Sequence, residues 1–158
     1  GGIGLPLAAC VYNKNLDKWE PGAHLGTFRG HALAMAAGLA AINYMQEEKL
    51  PEHAEKMGRR ILKRLEDLAD ESKYIGEVRG KGLMIGVEFV KNKENKQPWK
   101  ELVDKIQMKC FKKGLLIWKA GHYANVARFL PPLVITEELA DKGIEIFVDA
   151  VKEAAREI

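Results

Sequence analysis

Between Ala32 and Tyr44 the chain carries no charged residue. Ala, Leu, Met, Gly and Ile hold nearly every position, with Asn43 as the single amide, and polar character returns only at Gln46-Glu47-Glu48. The pattern predicts a helix over residues 32–48 that is apolar on almost every face. Such a helix cannot lie on a solvated surface and has to be covered on all sides, by a sheet layer or by a second subunit.

The helix is entered through Pro21-Gly22-Ala23-His24-Leu25-Gly26-Thr27-Phe28-Arg29-Gly30-His31. Glycines around Thr27 let the backbone turn sharply, and they bring its hydroxyl and nearby N–H groups close to any ligand seated ahead of the helix. The stretch is therefore either a phosphate seat or simply a Gly-rich turn, with the Thr27 hydroxyl capping the next turn of the chain. The opening Gly1-Gly2-Ile3-Gly4 is a different matter. It has no strand before it, no Gly-Lys-Ser/Thr and no helix after it, so it is neither a dinucleotide fingerprint nor a P-loop. Residues 7–12 form a short apolar run that predicts a buried strand, followed by a turn at Asn13-Lys14-Asn15 and one helical turn within residues 16–20.

From Lys49 onward the periodicity alternates. Pro51 opens a helix whose apolar stripe is Ala54, Met57, Ile61, Leu65 and Leu68, with Glu52/Lys56 and Glu55/Arg59 as i,i+4 pairs on the far side. Arg79, Gly80 and Gly82 predict a tight loop with an internal salt bridge, and residues 83–90 a strand interrupted by Gly86 and Glu88. After the charged turn 91–97, Pro98 restarts helix, with Leu102, Val103, Ile106 and Cys110 inward and Gly114 ending it. Residues 115–118 and 126–129 read as strands. Thr136 caps a last helix, with Glu137 and Glu138 in its first turn and Leu139, Gly143, Ile146, Ala150 and Ala154 marking its buried side. The order helix, strand, helix, strand, strand, helix predicts an α+β layer, helices packed on one face of a small, mainly antiparallel sheet.

Composition narrows the function classes. The chain has 158 residues, 47% of them hydrophobic and 30% charged, with a net charge of only +3. Its Lys and Arg are interspersed with Glu and Asp, as on solvated helix faces, so a nucleic-acid groove is not indicated. No apolar run is long enough to span a bilayer. Leu7-Ala8-Ala9-Cys10 lacks the basic and apolar regions that precede a lipoprotein cleavage site. Cys10 and Cys110 have apolar neighbours and no metal-ligand spacing, which predicts buried free thiols and a reducing, cytoplasmic setting. His24, His31, His53 and His122 show no His-x-x-x-His or similar spacing, and no metal site is expected. Lys- and Glu-rich helices hint at a heat-adapted source.

Four stretches occur in one order: Gly-Gly-Ile-Gly-Leu-Pro-Leu-Ala-Ala at 1–9, Pro21-Gly22-Ala23-His24 with Gly26-Thr27-Phe28-Arg29-Gly30, Val78-Arg79-Gly80-Lys81-Gly82-Leu83-Met84, and Val126-Ala127-Arg128-Phe129-Leu130-Pro131-Pro132-Leu133. In these motifs, over nearly its whole length, the chain resembles the C-terminal part of a class III (ornithine/4-aminobutyrate type) pyridoxal-phosphate-dependent aminotransferase. The wording of the Thr27 stretch resembles the diaminobutyrate–oxoglutarate branch. The resemblance implies a fold-type I enzyme. Residues 1–48 would be the end of its large cofactor-binding domain, with the helix at 32–44 near a homodimer interface, and residues 49–158 its small domain.

It also implies roles. Thr27, with Gly26 and Phe28, would reach across the dimer to the phosphate of pyridoxal 5'-phosphate held by the other subunit. Arg128 would bind the α-carboxylate of an amino acid or a 2-oxo acid. From its surroundings alone, a guanidinium among Val126, Phe129 and Leu130 needs an anionic partner, either a ligand carboxylate or an internal Glu or Asp. The lysine that carries the cofactor would lie just before Gly1, and the chain has no initiator Met. It reads as a fragment, inactive alone, of an enzyme that moves an amino group from an amino acid or diamine-type donor to a 2-oxo acid such as 2-oxoglutarate. Alternatives are an amino-acid racemase of the same fold and a non-catalytic dimerisation module. His31 departs from the family, which has Asn there. Trp118, Tyr123 and Phe28 are expected in a core or a pocket wall.

Overall fold

A computed structural model describes residues 4–157. Residues 1–3, which include most of the opening glycine motif, lie outside the described residues. The chain divides into two compact units, one up to Lys49 and one from Leu50 onward.

In the first unit residues 7–12 form no strand and their side chains are exposed, which corrects the buried strand expected there. A lone apolar segment becomes a strand only when neighbouring strands take up its N–H and C=O groups, and this unit contains none among the described residues. A short 3-10 turn, Lys14–Leu16, comes next, with the Asn13 side chain accepting from the Asn15 N–H at its start. Gly22 and Gly30 adopt φ of +87° and +71°, where a Cβ would be strained. Helix α1 spans Ala32–Glu47. Only Ala34 is buried within it, and Leu33, Met35, Leu39 and Ile42 are more than half exposed. Gly38 leaves room on α1 for the Leu7 side chain, which a Cβ there would overlap.

The second unit begins with α2 (Leu50–Glu71), which buries the expected stripe of Ala54, Met57, Ile61, Leu65 and Leu68. Strands β1 (Ile75–Lys81) and β2 (Met84–Phe89) come after it, then α3 (Lys100–Lys112), β3 (Trp118–Ala120), β4 (Val126–Phe129) and α4 (Glu137–Arg156). The four strands form one sheet in the order β1-β2-β4-β3, antiparallel throughout. Ile75, Ile85, Val87, Phe89, Ala127 and Phe129 point from it into a core shared with all three helices. The opposite face carries Glu77, Arg79, Met84, Gly86, Glu88, Arg128 and Trp118, as the cross-strand register requires.

Four expectations are corrected in this unit. Strand β1 was expected as a loop: Ile75 and Val78 face the core, but Gly76 at a register shift and Gly80 opposite Ile85 break the apolar alternation that would have signalled a strand. They are needed because a Cβ at Gly80 would lie 2.6 Å from the Met84 carbonyl oxygen and one at Gly76 2.8 Å from Val90. Strand β3 starts three residues later than expected. Gly114, at φ +86°, donates to Phe111 O at 3.0 Å, and the Leu115 N–H donates to Cys110 O at 2.9 Å, so residue 115 still closes the helix in a Schellman motif. The inner stripe of α4 is Ala140, Ile144, Phe147, Ala150, Val151 and Ala154, and Leu139 is exposed. Phe147, packed edge-on against Phe129 with ring centroids 4.8 Å apart, sets that rotation. Lys56 reaches Glu137 at 2.7 Å instead of Glu52, whereas the Glu55–Arg59 pair forms at 3.4 Å.

Helices α2 and α4 are clamped along their exposed edges. Arg60 grips Asp141 with two hydrogen bonds of 2.8 and 2.6 Å. The ring of His53, half-buried, bonds the Ile135 carbonyl at 2.9 Å. Thr136 caps α4 by accepting from the Leu139 N–H. Cys110 is buried, while Cys10 is exposed, contrary to expectation, and both are free thiols. Among the described residues no helix is long and apolar enough to cross a membrane.

Candidate active site

Arg128 stands in the middle of the open sheet face. Its register partners are Gly86 on β2 and Trp118 on β3, so its side chain rises between a position with no side chain and an exposed indole. Its Nε is buried and has no hydrogen-bond partner, and among the described residues Arg128 makes no ion pair. The residue as a whole is half-buried, and the internal salt bridge to a Glu or Asp does not form among the described residues. A planar five-donor fork so placed can take a carboxylate in a two-point contact.

The nearest carboxylate by register is that of Glu88. Glu88 pairs with Val126, two residues before Arg128 on the same face, a diagonal neighbour at about 7–8 Å between backbones. The Glu88 carboxylate is nevertheless engaged elsewhere. Arg79 Nη1 donates to Glu88 Oε2 and to Glu77 Oε2, both at 2.8 Å. This is the internal salt bridge expected of Arg79, made within a strand. The bond to Glu88 raises the Arg79 pKa above its ordinary value.

Asn125, which no sequence motif singled out, ends the loop that delivers β4. It is 3% exposed, the one buried polar residue among those described. Its backbone carbonyl accepts from the Phe89 N–H at 2.8 Å and its side-chain Nδ2 donates to the Phe89 carbonyl at 2.9 Å. The amide side chain thus stands in for a ladder N–H while the chain swings away through Ala124, at φ +52°. The register that places Arg128 opposite Gly86 begins at this clamp. The signal available was an amide immediately before an apolar strand, too common to single out.

Beside Arg128 lies a groove of about 530 Å³, walled by Met108, Phe111, Leu116, Trp118 and Leu130, with Gln107 and Asp104 along its rim. Hydrogen bonds from Lys100 and Lys119 hold the Asp104 carboxyl below its usual range. Trp118 is therefore a pocket wall, 67% exposed; Phe28 belongs to no core but lines a pocket within the first unit, and Tyr123 is exposed.

The loop around Thr27 lies in the first unit. Two turns shape it, closed by the Arg29 N–H to Gly26 O at 3.0 Å and the His31 N–H to Phe28 O at 3.2 Å. The Arg29 guanidinium also bonds the His24 carbonyl. Capping of α1 falls to His31, whose Nδ1 accepts from the Ala34 N–H at 3.2 Å, the service a short Asn side chain gives at an N-cap. The Thr27 hydroxyl, exposed, makes no hydrogen bond among the described residues. It does not cap the turn, and with Gly26 and Phe28 it presents a free donor just ahead of a helix N-terminus, a fit for one phosphate contact. Among the described residues no group of three His, Cys, Asp or Glu side chains could hold a metal ion.

The chain belongs to the class III aminotransferase family, whose model matches residues 1–151. The diaminobutyrate–2-oxoglutarate aminotransferase of Rhizobium meliloti is 44% identical over 147 residues, covering 89% of this chain and 31% of that protein. An alanine/serine racemase of Pyrococcus horikoshii is 38% identical over 150 residues, 95% of this chain and 31% of its own length. A crystal structure of a Bacillus anthracis aminotransferase superposes with a TM-score of 0.78 at 32% identity, over 83% of this chain and 30% of that one. The chain thus spans about a third of the length of the relatives it matches. The family uses pyridoxal 5'-phosphate.

Proposed function

We propose that this chain is the C-terminal part of a pyridoxal-phosphate-dependent aminotransferase that moves an amino group from an amino-acid donor, diaminobutyrate among the candidates, to a 2-oxo acid such as 2-oxoglutarate. The observation that carries the reading is Arg128, half-buried on an open sheet face, whose buried Nε has no hydrogen-bond partner and which makes no ion pair among the described residues. In this reading the second unit is the small, substrate-facing domain and the first is the end of the large domain. The exposed apolar faces of α1 lie in a homodimer interface.

The cofactor supplies an electron sink for the substrate's α-carbon. This chain's residues bind and orient. Arg128 holds the α-carboxylate of donor and oxo acid in a two-point contact that sets the plane of the substrate. The Thr27 hydroxyl donates to the cofactor phosphate of the other subunit, with Gly26 and Phe28 framing the turn that presents it. The clamp at Asn125 keeps β4, and so Arg128, in register. The covalent attachment and the proton transfers belong to residues outside this chain, which is inactive alone, and the setting is cytoplasmic.

The test is the full-length protein that carries this chain. The reading expects visible absorbance from bound pyridoxal phosphate that changes on adding glutamate or diaminobutyrate. It also expects Arg128→Lys to raise KM for the oxo acid by about 10–100-fold, the loss of a charge-assisted two-point contact. A protein that stays colourless with cofactor supplied overturns it and leaves a dimerisation module. Similarity to the Pyrococcus racemase favours a second reading, racemisation at the same site. Loss of optical activity from alanine with no oxo acid present distinguishes the two.

A further inference from the structure

Arg128 makes no ion pair among the described residues although the Glu88 carboxylate is its diagonal neighbour, and what holds that carboxylate is Arg79. We infer that Arg79 is a positioning residue that sequesters Glu88 and so keeps Arg128 open for a ligand carboxylate; this rests on the reading of Arg128 as a carboxylate anchor.

The geometry is that of three neighbouring strands. Arg79 on β1 and Arg128 on β4 both pair with Gly86 on β2, one from each side, and all three positions share the open face. Gly86 puts no side chain between the two guanidinium groups. Glu88, two residues along β2 on the same face, is therefore diagonal to both arginines, and either lies within reach of its side chain. Only Arg79 takes it, at 2.8 Å, and Arg79 also holds Glu77 at 2.8 Å.

Glu77 and Glu88 are directly paired across β1 and β2. Two carboxylates so placed repel each other, and Arg79 relieves the repulsion by bridging them. Without Arg79 that repulsion drives the Glu88 carboxylate away from β1. In that direction the cation one diagonal step away is Arg128, whose fork has no competing partner among the described residues. Lys81, the other cation on β1's open side, pairs with Met84 at the far end of β2 from Glu88. Glu88 is the less exposed of the two carboxylates, at 26% for its side chain against 49% for Glu77, so a Glu88–Arg128 pair would be the better shielded from solvent. Removing the positive charge of Arg79 thus closes the site by an internal anion.

The test separates the guard from the anchor. In this 158-residue chain the Nε–Hε resonance of Arg128 is followed by NMR. Arg79→Gln is expected to shift it, as Glu88 swings onto Arg128. Adding Glu88→Gln to that variant is expected to restore the native position, and Arg79→Lys, which keeps a cation for Glu88, to leave it close to native. In the full-length holoenzyme Arg79→Gln is expected to raise KM for the oxo acid by about 3–10-fold, the strength of a partly exposed ion pair, with Arg79→Gln/Glu88→Gln returning it to normal. An unmoved Arg128 resonance in folded Arg79→Gln overturns the inference whatever the kinetics show. A shift that reverts in the double variant, with no change in KM, upholds the guard and refutes Arg128 as the anchor.

Discussion

Gly58 of α2 lies flat against Gly82, the residue that turns β1 into β2. A Cβ built on Gly58 would overlap the Gly82 carbonyl group and come within 2.9 Å of its Cα. Gly82 itself holds φ +54°. The two glycines let a helix and a hairpin approach at backbone distance, which seats the whole β1–β2 ladder, and with it Arg79 and Glu88, on α2.

Gly58→Ala therefore behaves against helix propensity. An interior helical glycine replaced by alanine ordinarily gains about 1 kcal/mol. Here the methyl meets backbone that cannot rotate aside, and overpacking of that kind costs about 1–3 kcal/mol. Urea unfolding is expected to show a net loss of stability. An unchanged or raised midpoint would mean the hairpin moves away from α2 without cost.

Asn125→Ala removes the side-chain donor to the Phe89 carbonyl, which also accepts from the Trp99 N–H at 3.1 Å. A loss of about 1–2 kcal/mol is expected. Asn125→Asp is expected to be worse at pH 7, because it sets a carboxylate against a carbonyl oxygen. That carboxyl is raised in the folded state relative to the unfolded one, so the excess penalty is absent below the unfolded carboxyl pKa and grows as pH rises through it. Denaturation midpoints of the two variants at pH 4 and pH 7 check the order.

The cysteines separate by reactivity. Cys10 is exposed and Cys110 fully buried, and burial pushes the Cys110 thiol up to about 11 from an ordinary value of 9.0. A thiol reagent at pH 8 is expected to label Cys10 at once and Cys110 only on unfolding. Because the folded pKa lies above the unfolded one, the thiol's contribution is intact below pH 9 and is lost as pH rises toward 11. Wild type should accordingly lose more stability over that window than Cys110→Ala does.

Thr27→Val tests the phosphate contact. The Thr27 hydroxyl bonds nothing among the described residues, so unfolding of this chain should change by less than about 0.5 kcal/mol. In the full-length protein the dissociation constant for pyridoxal phosphate is expected to rise about 10–100-fold, the loss of one hydrogen bond to a charged group, with Thr27→Ser close to wild type. Equal affinity in the valine variant would remove Thr27 from the site.

Much of this was legible in the residues. Local causes act over three or four positions, and they set α2 through its stripe, α4 through the Thr136 cap, and the end of α3 through Gly114, each where its pattern put it. Family membership was legible too, since four motifs in order survive whatever the fold does with them. Strand β1 was hidden because Gly76 and Gly80 interrupt its apolar alternation, and the reason for those glycines, Val90 and the Met84 carbonyl, lies on other segments. The rotation of α4 depends on where Phe147 meets Phe129, eighteen residues earlier in the chain.

The candidate site divides along the same line. Chemistry resides in residue types, so Arg128 and Thr27 could be singled out from the order of residues alone. Pairing does not: whether a guanidinium meets an internal carboxylate is decided by register. The pairing of β1, β2 and β4 puts Glu88 diagonal to both Arg79 and Arg128, and only the folded sheet assigns it to Arg79. Sequence order sets which groups exist and which short-range elements they build, because those energies are local. Long-range packing settles which groups are left without a partner, because strands distant in the chain become neighbours only when the sheet closes.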